Sequence, residues 1–204
     1  MKNSKPGRPT IVISVFLALC ITSGICAAQE ADRKGKFEFH GILRSSGDIK
    51  ATDRSEDSKY KVIGGLTGGL GIGYNINDFL NINGDFLFGS ADGEITNLSG
   101  SLFSQADPDI SIWDINLDYN IIKNNLTPVL TTGFGTIRYD STIDLTGEDI
   151  GGRSNIYNIG GGFRWDISED ILLKLIYRRI WEEFEDADGT SKSYNVTLSL
   201  GFKF

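Results

Sequence analysis

From Ser193 to Phe204 the chain alternates without a break. Tyr194, Val196, Leu198, Leu200, Phe202 and Phe204 are apolar or aromatic, while Ser193, Asn195, Thr197, Ser199, Gly201 and Lys203 are small or polar. Successive side chains of a β-strand point to opposite faces, so this stretch predicts a strand with one greasy and one polar face. The same period of two recurs in seven earlier segments, at 37–44, 60–76, 79–90, 111–121, 126–139, 155–167 and 171–183. In the fourth, Trp113, Ile115, Leu117, Tyr119 and Ile121 alternate with Asp114, Asn116, Asp118 and Asn120. Such a row fits neither a helix nor a strand buried on both faces, but it fits a strand with lipid on one side and a wet interior on the other.

The links between segments alternate in length. Those near 45–59, 91–110, 140–154 and 184–192 are long and polar, and those at 77–78, 122–125 and 168–170 are tight. Long loops on one rim and short turns on the other, with strands long enough to cross an apolar band of about 25 Å at a tilt near 40°, predict an all-β fold: an eight-stranded antiparallel up-and-down transmembrane β-barrel. Aromatics cluster at the strand ends, where a membrane barrel carries two interfacial girdles. Tyr60, Phe88, Trp113, Tyr157, Trp181 and Tyr194 fall at the long-loop end, and Tyr74, Tyr119, Trp165, Phe202 and Phe204 at the short-turn end.

The amino terminus has a different pattern. Lys2, Lys5 and Arg8 precede an apolar run from Ile11 to Cys20, followed by Cys26-Ala27-Ala28. These are the three parts of a secretory signal peptide, here residues 1–28, and the run is too short to span a bilayer as a helix. Residues 29–36 then form a polar periplasmic lead-in, and 37–204 the barrel. Both cysteines lie in the leader, so the mature chain has no thiol chemistry. Removing Lys2, Lys5 and Arg8 with no acidic residue takes the formal charge from -7 to -10, which argues against a nucleic-acid partner.

Parity also assigns the interior. Glu38, Asp85, Asp114, Asp118, Asp166 and Glu182 point inward with Arg44, Lys61, Arg164, Lys174, Arg178 and Lys203, six acids matching six bases. An eight-stranded barrel is only wide enough for side chains to fill, so matched signs predict an ion-paired plug in preference to a charged path. The inward glycines, among them Gly71, Gly73, Gly133 and Gly160, either make room for long side chains or leave gaps. The single histidine, His40, joins this charged interior. With Ser199 nearby it is the one enzyme-like pairing, but a site inside the barrel lies away from any lipid substrate, so no catalytic residue is expected. Gly68-Gly69-Leu70-Gly71-Ile72-Gly73 looks superficially like a phosphate loop, yet the alternation continues through it to Tyr74 and marks a strand. Asp186-Ala187-Asp188-Gly189 lacks the later ligands of a calcium loop. No metal site or cofactor is therefore expected. The acidic loop residues Asp92, Glu94, Asp107, Asp109, Asp140, Asp144, Glu148 and Asp149 are most simply solvated, although Mg²⁺ or Ca²⁺ could bridge them to anionic sugars.

With these features in place, the chain resembles the small eight-stranded outer-membrane β-barrel proteins of Gram-negative bacteria, the group that includes the OmpA transmembrane domain, OmpX and OmpW. Its terminal strand, from Tyr194 through Val196, Leu198, Leu200 and Phe202 to Phe204, is similar to their assembly signal. Residues Leu126 to Gly135 are similar to a Pro-containing, Gly-alternating strand of the group, with Val129 and Thr131 where an aromatic and a Gly are more usual. The resemblance implies the outer membrane as location. It also implies outer-membrane lipid and lipopolysaccharide as surroundings, contact with barrel-assembly machinery and periplasmic chaperones during biogenesis, and a monomer. It leaves no residues for a peptidoglycan-binding domain. The expected role is structural or surface-interacting, with a narrow channel and a lipid A-modifying enzyme as alternatives.

Overall fold

The computed structural model describes residues 30–47, 49–53, 58–97, 102–106, 108–142, 149–184 and 190–204, with side chains described over somewhat fewer at the long-loop end. The leader at 1–28 lies outside them. Ten strands follow one another: β1 (Phe37–Ser46), β2 (Ile49–Asp53), β3 (Ser58–Asn75), β4 (Leu80–Asn97), β5 (Leu102–Ala106), β6 (Asp109–Asn120), β7 (Leu126–Thr142), β8 (Asp149–Asp166), β9 (Ile171–Phe184) and β10 (Thr190–Lys203). Eight of them form a ring in the order β1-β3-β4-β6-β7-β8-β9-β10, every pair antiparallel. β10 closes it against β1, with Phe39 opposite Phe202 and Leu43 opposite Leu198. Closure leaves no open edge in the ring, which is what allows a sheet to sit in lipid.

The alternation in sequence is an alternation of surroundings. Along β1, Phe39 is 45% exposed while its neighbours Glu38 and His40 are 0% and 2% exposed. The outward row carries Leu43, Leu70, Ile72, Phe86, Leu117, Leu130, Phe134, Ile159, Leu198 and Leu200, all exposed in the isolated chain and apolar as lipid requires.

The tight links owe their shape to side chains that replace backbone partners. Asn77 Oδ1 accepts hydrogen bonds from the Phe79 and Leu80 N–H groups, both at 2.8 Å. Ser168 Oγ does the same for Asp170 and Ile171 at 3.3 and 3.0 Å. Pro128 stands near the start of β7, where it donates nothing and its carbonyl accepts from Ile121 N–H at 2.9 Å.

The long-loop end departs from the sequence expectation. β3 and β4 stay paired out to Ser58 and Asn97, β7 and β8 out to Thr142 and Asp149, and the short β2 and β5 extend the sheet beside β3 and β4. The backbone ladder thus runs past the alternating segments 60–76, 79–90, 126–139 and 155–167 at this end. In addition, β3 carries one extra residue between Ile63 and Leu66, opposite Asp92 and Ser90 of β4. A bulge of this kind breaks parity, so the faces of Tyr60 and Lys61 cannot be read from the strand below it. Their side chains lie outside the described residues.

At the other rim the start of β1 meets the residue that follows β10. Phe37 and Phe204 exchange backbone hydrogen bonds of 2.9 and 3.0 Å, and their rings stack at 6.2 Å, with Tyr74 at 4.9 Å from Phe37. The terminal aromatic thus completes the rim at the seam where the barrel closes.

Candidate functional site

The distinctive chemistry of this barrel is inside it. Glu38, Asp85, Asp114, Asp118, Asp166 and Glu182 are buried there, as are Arg44, Arg164, Lys174, Arg178 and Lys203. A sixth buried base, Arg33, comes from the lead-in, which carries no periodic pattern to announce it.

The lead-in is a strap across the short-turn mouth. It leaves β1, and Glu30 bridges Asn124 in the turn between β6 and β7, on the far side of the ring. Gly35, at a φ of 75°, supplies the left-handed bend that starts this path and donates its N–H to Asn75 O at 2.8 Å. Arg33 then points up into the barrel. Its Nε donates to Asp166 Oδ2 at 2.8 Å, Nη1 to Asp78 O at 3.1 Å and Nη2 to Asn124 O at 2.5 Å. Outside the mouth, Asp78 accepts the Arg33 N–H at 3.0 Å and pairs with Lys123 at 3.1 Å. Burial would raise the Asp78 carboxyl, but the Arg33 and Lys34 N–H groups and the Lys123 ammonium outweigh it and hold it below its ordinary value.

Above the strap the charges form two linked groups. In the lower one, Asp166 collects Arg33, Arg164 and Lys203 at 2.7, 2.9 and 2.7 Å. Arg164 continues to Glu38 at 2.6 Å, and Lys174 joins Glu38 to Asp118 at 3.2 and 3.1 Å. Asn75 donates to Glu38, and Asn83 to Asp118, at 2.7 and 2.8 Å. In the upper group Arg44 lies between Asp114 at 2.6 Å and Asp85 at 3.3 Å, with Arg178 3.9 Å from Asp85. Asn116 donates to Asp114 at 2.5 Å and receives a bond from Asn158 at 2.9 Å. Burying so many ions is costly unless each is paired and hydrogen-bonded, and most here have at least two partners; among the described residues Lys203 meets only Asp166, and Arg178 meets only Asp85, its Nε and Nη1 making no hydrogen bond. The glycines make room for them. A Cβ on Gly73 would meet Asn83 Oδ1, one on Gly160 the Arg178 Cγ, and one on Gly201 the His40 Nδ1.

His40 sits within this lower group, its Nε2 3.2 Å from Glu38 Oε2 and its Nδ1 without a protein partner. Ser199 is in register with Ile42, two positions along from the His40–Gly201 pair. The histidine thus faces the Glu38 carboxylate, which Lys174 and Arg164 also pair, inside the barrel.

The interior changes character toward the long-loop end. Ile42, Leu87, Ala91, Ile110, Ile112, Ile137 and Ile156 pack as one buried cluster, with Tyr139 and Ile180 against it. On β4, β6, β8 and β9 these are the residues two places beyond Asp85, Asp114, Asn158 and Arg178, so an apolar layer stands above the polar groups on these strands, while β10 keeps Ser193, Asn195 and Thr197 buried at this end. Beyond it Glu182 accepts a hydrogen bond from Tyr139 Oη at 2.9 Å. Parity alone treats every inward position as polar, but the isoleucines at 110 and 112 stand in that phase and were the available signal for the layer.

On the outside, Phe88, Trp113, Tyr157 and Tyr194 are exposed toward the long-loop end, with Trp181 half-buried, and Tyr74, Tyr119, Trp165, Phe202 and Phe204 are exposed toward the other. Asp109 and Asp140 face each other across β6 and β7, while the side chains of the other acidic loop residues lie outside the described residues. Among the described residues no cluster of His, Cys, Asp and Glu could hold a metal ion.

A closed ring with a lipid-compatible exterior and a filled polar lumen defines a membrane-spanning barrel. Residues 16–204 match the family model described as outer membrane protein beta-barrel domain, and the chain belongs to that family. Solved structures agree on the fold. Neisserial surface protein A is 17% identical with a TM-score of 0.54, covering 83% of this chain and 98% of that one. The outer membrane protein OprG from Pseudomonas aeruginosa is 14% identical at a TM-score of 0.54, covering 85% and 98%. Ail of Yersinia pestis, in complex with the heparin analogue sucrose octasulfate, is 14% identical at 0.51, covering 84% and 99%. No curated protein matches the chain in sequence.

Proposed function

We propose that this chain is a non-conducting, non-enzymatic barrel of the Gram-negative outer membrane whose work is done at its surface. In this reading residues 1–28 are removed on export, and the terminal strand ending in Phe204 is read by the barrel-assembly machinery after periplasmic chaperones deliver the chain. The mature barrel is a monomer in lipid and lipopolysaccharide. The observation that carries the reading is the stacking of three obstructions along one narrow lumen: the strap with Arg33, the ion-paired middle, and the apolar layer around Leu87 and Ile112. An apolar constriction opposes ions and water alike, because a permeating ion would shed hydration without gaining a partner.

A narrow channel is the second reading. It is favoured by polar atoms in the lower lumen that have no protein partner, including both amide atoms of Asn81 and Asn120, which provide places for water. Proteoliposome swelling with arabinose and with glycine discriminates the two. The barrel reading expects swelling no faster than in protein-free vesicles, and faster swelling dependent on correctly folded protein would refute it. A lipid-modifying activity would show as a change in the mass of lipid A from cells expressing the protein.

A further inference from the structure

The outward face of β9 carries a charge within a row that is otherwise apolar or aromatic. Arg179 belongs to the row Ile171, Leu173, Leu175, Tyr177, Arg179 and Trp181, whose members otherwise present apolar or aromatic surface. Its register partners are Ile159 on β8 and Tyr194 on β10, and Lys192 stands opposite Trp181. The Arg179 guanidinium carbon is 5.2 Å from the Trp181 ring centroid and 5.8 Å from that of Tyr194, and Tyr194 stacks on Tyr177 at 5.7 Å. Two aromatic rings thus frame one cation, and a third, Tyr177, backs one of them. Its Nε is buried with no hydrogen-bond partner, and among the described residues no carboxylate is paired with it. Glu183, the next outward charge on β9, is separated from it by Trp181.

Two considerations identify what the cation is for. The protein carries a formal charge of -7, and five of its bases on the barrel strands are committed to carboxylates in the lumen. A basic pair on the lipid face runs against that economy. Secondly, Arg179 is eight residues above Ile171, about 27 Å along a strand and about 20 Å in height at a tilt near 40°. That places it just below the interface at the long-loop end, where an arginine can reach up to headgroups. There its planar fork fits a phosphate, which can accept two parallel N–H bonds.

We propose that Arg179, stacked between Trp181 and Tyr194 with Lys192 beside it, binds the phosphate of a phosphorylated glycolipid in the outer leaflet. This rests on the outer-membrane orientation proposed above, with the long loops facing outward. The aromatic rings hold the guanidinium in place, and the acyl chains lie along the apolar row of Leu175, Leu173 and Ile171 beneath it.

Native mass spectrometry of the detergent-solubilised barrel, titrated with diphosphoryl lipid A, tests the proposal. One lipid A should bind per barrel, and phosphate-free lipid A should bind markedly more weakly. R179Q should lower diphosphoryl binding about tenfold, the loss of one charge-assisted contact. R138Q should leave it unchanged, since Arg138 is already paired with Asp140 at 3.1 Å. Equal binding of R179Q and wild type, or of lipid A with and without phosphate, overturns the site. So does displacement by millimolar inorganic phosphate, or a wild-type dimer that R179Q abolishes. Should R179Q fold poorly, the comparison of the two lipids on wild type decides alone. A conducting barrel would refute the function proposed above while leaving this result standing, and failure here leaves the sealed lumen untouched.

Discussion

Below the level of Asp85 and Asp114 the lumen is filled with ion pairs, whereas just above it Leu87, Ile112, Ile137 and Ile156 close over them with methyl groups. Both regions lie inside the same ring of strands, at the same inward positions. They differ in what holds them. The lower region depends on completeness, because a buried charge is tolerable only while its partners are present. The upper one depends on shape, because isoleucine and leucine have nothing to pair and lose stability only when a gap opens.

The contrast can be broken from either side. Asp166→Asn should have the largest effect. It leaves Arg33 and Lys203 without their carboxylate, and urea titration of the barrel refolded in vesicles should show a loss of about 3–5 kcal/mol. Leu87→Ala should cost somewhat less, about 2–4 kcal/mol in the same titration, because the layer loses a fully buried side chain while its charges stay paired. If the two values fell in the reverse order by a wide margin, the lower network would be far more tolerant than its geometry implies.

The smallest effect is expected at the strap. Asp78 titrates below its ordinary value, so its hold on the Arg33 N–H is complete above that ordinary value and is lost as the pH falls through the lowered one. Hydrogen exchange at the Arg33 amide should therefore be slow at neutral pH and should accelerate below about pH 4, once the intrinsic pH dependence of exchange is removed. The D78N variant should show no such step.

The lower strands were legible because each of their faces meets a different medium. Phe37 to Arg44 and Ser193 to Phe204 alternate in sequence because they alternate between lipid and lumen. Asp92 to Asn97 pair with Ser58 to Ile63 beyond the alternating segment that ends at Ser90, and the bulge after Ile63 removes the parity on which Lys61 is placed inward. Arg33 was hidden for another reason: it reaches the lumen from a segment with no repeat. The apolar layer was visible in Ile110 and Ile112, but as interruptions of a polar face, with nothing to say that they meet across the barrel. As for the lumen charges, parity could align them, yet which acid meets which base depends on strand register, which only closure of the ring determines.

The central claim is that the apolar layer and the strap seal the lumen. Single-channel recording of the full mature barrel in planar bilayers at 1 M KCl tests it most directly. The wild-type protein should show no steady conductance steps, while L87N combined with I112N, which wets the layer, should show brief openings. Sustained, uniform openings of the wild-type barrel would contradict the account.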